Sequence, residues 1–207
     1  MNHPIVKICG IRTQEILEYC LEEKVDLLGF NFSKESKRKI NIKEFVPIIH
    51  SVPIDFHSRF VALFYKNSIE EIKEVLRSFS FTYIQYITLD PLLDLQFLKG
   101  KSKFLIPQVG ISHNVTDSDL KYKDELIILD SHSENQGGGT GKTFAWEKVK
   151  DVKRKYLLAG GLNPNNVSNA VQKLNPYGVD VASGVESEPG VKDKKLIKEF
   201  IQNVKRH

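Results

Sequence analysis

YLLAGGLNPNNVSNAVQKLNPYGVDVA, residues 156–182, reads as a strand, a glycine turn, a helix and a second strand. The run at 156–160 lacks polar alternation, which is the pattern of a strand buried on both faces of a parallel sheet. Asn163-Pro164 offers a helix start, and Val167, Ala170, Val171 and Leu174 then recur at helical spacing. GVDVA at 178–182 is apolar again, so the stretch is one βαβ unit.

Working outward, six further runs of the same kind lie at 5–9, 26–32, 59–65, 82–87, 103–107 and 126–130, giving eight. Their starts are roughly 21 to 33 residues apart, room for one crossover helix each time. Ile16, Leu17, Cys20 and Leu21 form one helical face, with Thr13 as its cap; Ile69, Ile72, Val75, Leu76 and Phe79 form another, behind Asn67-Ser68; Leu196, Ile197, Phe200, Ile201 and Val204 form a third. An open doubly wound sheet has the same alternation, but eight units without a Gly-, Ser- or Pro-rich linker favour closure into an α/β protein of the (β/α)8 TIM-barrel class. The expected organisation is a single compact domain over 1–207. The weakest units are the second helix, where Pro47 and Pro53 interrupt 42–53, and the fifth, where ISHNVTDSDLKY offers little more than a turn.

Of the 207 residues 41% are hydrophobic and 27% charged, an ordinary globular composition. Thirty basic against 26 acidic side chains leave +4, and the lysines are scattered, so no nucleic-acid footprint is indicated. No apolar run approaches the ~18 to 20 residues of a membrane span, and the start lacks a signal-peptide pattern. The expectation is a cytoplasmic protein that binds neither membrane nor nucleic acid, a monomer or homodimer. Cys9 and Cys20 are its two cysteines, expected to be free thiols. The six histidines are dispersed without ligand spacing, and no metal site is expected.

In a TIM barrel the carboxyl ends of the strands share the rim where active sites are built. Cys9 ends the first strand, where a thiolate could act as base or nucleophile; the alternative is a small buried hydrophobe. Asp130 ends the sixth after three apolar residues, where partial desolvation suits a proton donor; the alternative is a cap or ion-pair partner. Arg38, in the loop after the second strand, has the planar fork that matches a carboxylate, or is a solvated loop cation. Gly160-Gly161, Ser183-Gly184 and the Gly137–Gly141 run would let backbone N–H groups approach an anion, or simply supply tight turns. Three such clusters on consecutive loops favour a phosphate cradle. GGGTGKT is not a P-loop, because the glycine required five positions before Gly141 is Gln136.

KICGIRT (7–13), GFNFSKESKRKI (29–40), ILDS (128–131), GGTGKTFAW (138–146), LAGGLNPNNV (158–167) and GVDVASGVESEPGVKD (178–193) together resemble the phosphoribosylanthranilate isomerases of tryptophan biosynthesis, over nearly the whole chain. The resemblance implies an Amadori rearrangement of N-(5-phosphoribosyl)anthranilate to 1-(2-carboxyphenylamino)-1-deoxyribulose 5-phosphate, a phosphorylated small-molecule substrate, without metal or organic cofactor. It implies Asp130 as general acid in ring opening, Cys9 as general base at C2, Arg38 as partner of the anthranilate carboxylate and Asp180 near the amine. It places phosphate against Gly160, Gly161, Ser183 and Gly184, with Gly138, Gly139 and Gly141 closing over it. Gln85 matches a strand-four glutamine, but the family's following histidine and glycine are lost in Gln85-Tyr86-Ile87-Thr88, which implies retained chemistry in a reshaped pocket. A related phosphosugar isomerase and a non-catalytic phosphate-binding barrel are the remaining readings.

Overall fold

A computed structural model describes residues 3–90, 94–122, 126–130 and 146–206. Eight parallel strands close on themselves in sequence order: β1 (Ile5–Cys9), β2 (Leu27–Asn31), β3 (Phe60–Phe64), β4 (Tyr83–Ile87), β5 (Phe104–Gly110), β6 (Ile127–Asp130), β7 (Tyr156–Ala159) and β8 (Gly178–Val181). Around them lie α1 (Gln14–Glu22), α2 (Ile42–His50), α3 (Ile69–Ser78), the single turn α4 (Leu95–Leu98), α5 (Val167–Leu174) and α6 (Lys194–Lys205). A small antiparallel pair, β9 (Glu186–Glu188) and β10 (Val191–Lys192), follows β8. The eight strands match the eight apolar runs, and the doubly wound alternative is excluded by closure of β1 on β8.

Strand residues split by parity. Val6, Ile8, Phe30, Ala62, Ile84 and Leu129 face outward into the large core shared with the helices. Leu27, Val61, Ile106, Ile128 and Leu157 face inward and fill the lower barrel as a separate cluster. Nearer the carboxyl rim the inward residues turn polar, and that change sets the position of the site. Gly178 closes the barrel floor: a Cβ there would stand 2.4 Å from Ile5 Cγ1 and 2.5 Å from the Ile5 carbonyl oxygen.

Local sequence explains most helix starts. The Thr13 side chain accepts from the Ile16 N–H, and Ser68 with Glu71 forms a reciprocal capping box. Three expectations need correction. Helix α2 runs through Pro47 and stops before Pro53, because the Asn41–Glu44 capping box and the buried Phe45, Ile48 and Ile49 outweigh one lost backbone bond. α5 begins at Val167, after Asn163 and Asn166 have spent their side chains on a turn: Asn163 N–H donates to Asn166 Oδ1, and Asn166 Nδ2 to the Gly161 carbonyl. Strand β5 continues past Pro107 to Gly110, since a proline removes only one donor from the ladder and the pairing of Ile87 with Gln108 resumes beyond it. Residues 111–122 hold no helix, as the sequence suggested.

Gly178→Ala is expected to lower unfolding free energy in urea by about 1–3 kcal/mol through overpacking of the barrel floor; an unchanged midpoint would show that the floor has slack.

Candidate active site

A cavity of about 1060 Å³ opens at the carboxyl ends of the strands. Cys9, Arg38, Gln85, Asp130, Gly160, Gly161, Asp180 and Ser183 all line it, so these sequence-predicted residues lie in one place. Gly184 is not in the lining; its backbone packs so closely on the next loop that a Cβ would stand 1.8 Å from the Leu162 carbonyl oxygen. It supports the Leu162 end of the cavity from behind. Gly138, Gly139 and Gly141 lie outside the described residues, as do Gly137 and His132.

The floor of the cavity is a buried ion pair. Lys7 and Asp180 are register partners on β1 and β8, so both side chains point into the barrel, and Lys7 Nζ donates to Asp180 Oδ1 at 2.8 Å. Lys7 is fully buried. Cys9 is the next inward residue of β1, seated against Gly29, where any Cβ would lie 3.0 Å from the sulfur. Burial pushes the Cys9 thiol up from its ordinary value and Asp180 adds to this, while the Lys7 ammonium and Lys192 pull the other way. Asp180 is pushed up by burial, against the pull of Lys7. Lys7 itself is raised above its ordinary value: burial lowers it, but Asp180 and Cys9 outweigh that. Strand alternation alone puts Lys7 one layer deeper than Cys9, yet its ammonium is the chief cationic neighbour of the thiol.

Asp130 is held by a chain of amides. Gln85 Nε2 donates to Gln108 Oε1 at 2.6 Å, and Gln108 Nε2 donates to Asp130 Oδ2 at 2.7 Å. Once its amide nitrogen is so used, the Gln85 Oε1 acceptor is buried without a partner. Sequence reasoning missed Gln108, having ended its strand at Pro107; the inward parity of Ile106 and Gln108 was the available signal. Ile87, the departure from the family pattern, also lines the cavity with Leu63 and Leu89, an apolar wall beside the amide chain.

Arg38 lies across Gly10, where a Cβ would meet its Cδ at 2.9 Å. It is no solvated loop cation: Nε and Nη2 each donate to Glu186 at 2.7 Å. Glu186 and Lys192 were missed because both sit beyond the last barrel strand, on the short β9–β10 pair. At the end of β7, Gly160 and Gly161 adopt φ of 89° and 66°, conformations that glycine takes without strain.

Cys20, on α1, is buried in the core and its thiol is pushed up to about 12 by burial; neither cysteine is in a disulfide. Among the described residues no group of three or more His, Cys, Asp or Glu could hold a metal ion, and no helix is long and apolar enough to cross a membrane.

Fold and site together define a (β/α)8 barrel enzyme whose cavity at the carboxyl-terminal rim gathers a thiol, the Asp130 and Asp180 carboxyl groups, an arginine and a glycine turn. Residues 6–203 match the family described as N-(5'-phosphoribosyl)anthranilate (PRA) isomerase, and the chain belongs to that family. The N-(5'-phosphoribosyl)anthranilate isomerase of Leptospira interrogans is 46% identical over 97% of this chain and 94% of its own. The crystal structure of the phosphoribosyl anthranilate isomerase from Thermotoga maritima is 33% identical, with a TM-score of 0.82 over 99% of this chain and all of its own. A phosphoribosyl anthranilate isomerase in complex with reduced 1-(o-carboxyphenylamino)-1-deoxyribulose 5-phosphate is 30% identical, with a TM-score of 0.76 over 99% of this chain and all of its own.

Asp180→Asn, which strips a buried ammonium of its counter-charge, is expected to cost about 3–5 kcal/mol in urea unfolding. Pairing Lys7→Met with Asp180→Leu should recover most of the loss; no recovery would mean that the two residues do not act as a pair.

Proposed function

We propose that this protein carries out the Amadori rearrangement of N-(5-phosphoribosyl)anthranilate to 1-(2-carboxyphenylamino)-1-deoxyribulose 5-phosphate in tryptophan biosynthesis, with Asp130 as general acid and Cys9 as general base. Family membership supports the reaction. The observation that carries the residue roles is that one cavity holds the Asp130 carboxyl group, a thiol, an arginine, the Gly160-Gly161 turn and Ser183, each from a different βα unit.

Ring opening needs a proton delivered to the furanose oxygen as the C1–O bond breaks, leaving a protonated Schiff base at C1. Asp130, oriented by Gln108, is the donor. The iminium cation acidifies the C2 proton, so a base of modest strength suffices for the second step. Cys9 takes that proton, giving an enolamine that tautomerises to the ketone. Burial keeps the free thiol protonated at neutral pH; the cationic intermediate, added to Lys7 below and Lys192 nearby, favours the thiolate when it is needed. Asp180 stands between, with one oxygen on Lys7, suited to the charged nitrogen.

Phosphate is assigned to Gly160, Gly161 and Ser183, with Gly138, Gly139 and Gly141 as the covering loop and Gly184 shaping the support. Gln85 Oε1, a buried acceptor without a partner, is assigned to a sugar hydroxyl. Arg38 takes the anthranilate carboxylate. Ile87 offers no hydrogen bond, so it alters fit and leaves proton transfer intact.

Cys9→Ala and Asp130→Asn should each reduce kcat about 10²- to 10⁴-fold with little change in KM, followed by loss of substrate fluorescence. Wild-type turnover in both variants would remove the assigned acid and base; binding of the reduced product analogue by wild-type protein without turnover would favour the non-catalytic barrel.

A further inference from the structure

We propose that Glu186 and Lys192 are positioning residues that turn Arg38 into a carboxylate receptor; the inference rests on the function proposed above. Arg38 as seen in the structure already grips a carboxylate, which at first sight disqualifies it from binding another. The geometry resolves this. Glu186 occupies the Nε–Nη2 side of the guanidinium, and Nη1 is taken by no described side chain. A planar guanidinium has a second edge, made of Nη1 and the remaining Nη2 proton, that can bind a carboxylate bidentately.

Charge alone would still be unfavourable, because an Arg–Glu pair is neutral. Lys192 changes that: its Nζ donates to Glu186 Oε1 at 2.7 Å, and Arg38 and Lys192 against Glu186 leave one net positive charge. Glu186 and Lys192 have side chains only 2% exposed, so solvent screens the cluster weakly. The carboxylate of Glu186 is fully engaged, its Oε2 accepting from Arg38 and from the Gly190 N–H at 3.1 Å. Burial works to raise the Glu186 carboxyl, but Arg38 and Lys192 hold it below its ordinary value.

The same lysine reaches the phosphate side. Lys192 Nζ also donates to the Ala182 carbonyl at 2.8 Å, next to Ser183. Glu186 and Lys192, carried by β9 and β10, are thereby tied to the end of β8, which fixes where the receptor stands on the rim. The Arg38 backbone is braced from the other side by Ser36, whose hydroxyl accepts from both Arg38 N–H and Asn31 Nδ2.

The test is calorimetric binding of two reduced product analogues, one with the ring carboxylate and one without it. Wild-type protein should prefer the carboxylated analogue. Lys192→Met, which removes the surplus charge, and Glu186→Asp, which keeps the charge but withdraws the anchor by one methylene, should each cut that preference about tenfold while leaving affinity for the carboxylate-free analogue unchanged. Lys192→Arg should keep it. Equal weakening of both analogues would reduce the cluster to a scaffold and overturn the proposal, as would an unchanged preference in variants that retain wild-type near-ultraviolet circular dichroism. If wild-type protein binds neither analogue, the underlying reading fails, an outcome distinct from the other two.

Discussion

The buried pair of Lys7 and Asp180 is the constraint on which the rest of the site depends. It joins β1 to β8, the seam where the first and last strands meet and the barrel closes. Neither charge could be buried alone, since an isolated ion loses several kcal/mol of hydration that only a close partner restores. The strand register supplies that partner by placing Lys7 directly opposite Asp180 on the inward face. Closure of the fold and assembly of the cavity floor are therefore one event.

Above this floor the barrel holds its functional groups by shared hydrogen bonds rather than by apolar packing. Gln85, Gln108 and Asp130 form one run across three adjacent strands. Arg38, Glu186 and Lys192 form another, which leaves the barrel and reaches the β9–β10 pair. The first run ends on Asp130, the proposed proton donor, and the second on Arg38, the proposed carboxylate receptor. Cys9 sits on the seam strand, backed by Gly29, and its proton affinity is set by burial and Asp180 working against two lysines. The lower barrel, filled by Leu27, Val61, Ile106, Ile128 and Leu157, supplies rigidity and no chemistry.

The barrel was legible in sequence because strands buried on both faces leave unbroken apolar runs, and eight of them at regular spacing admit few topologies. Cys9 and Asp130 were legible for a related reason: a thiol or carboxylate at the end of such a run must reach the rim. Gln108 was not, because Pro107 read as a strand end, and whether a proline stops a strand depends on neighbours that sequence does not display. Glu186 and Lys192 were hidden differently. They follow the last barrel strand, in a stretch with no apolar run to mark its place, and their meaning comes only from Arg38, 148 residues before Glu186 in the chain. Long-range ion pairs leave no periodicity to read.

A buried cation below Cys9 sets the acidity of the thiol assigned to the isomerisation. The most direct measurement of that effect is ultraviolet titration of the Cys9 thiolate in a Cys20→Ala background, with and without Lys7→Met. The thiol is raised in the folded protein by burial and held back by Lys7, so thiolate should form above the ~8.5 of a free thiol, and higher still once the lysine is gone. Identical titration curves with and without the Lys7 ammonium would contradict the account.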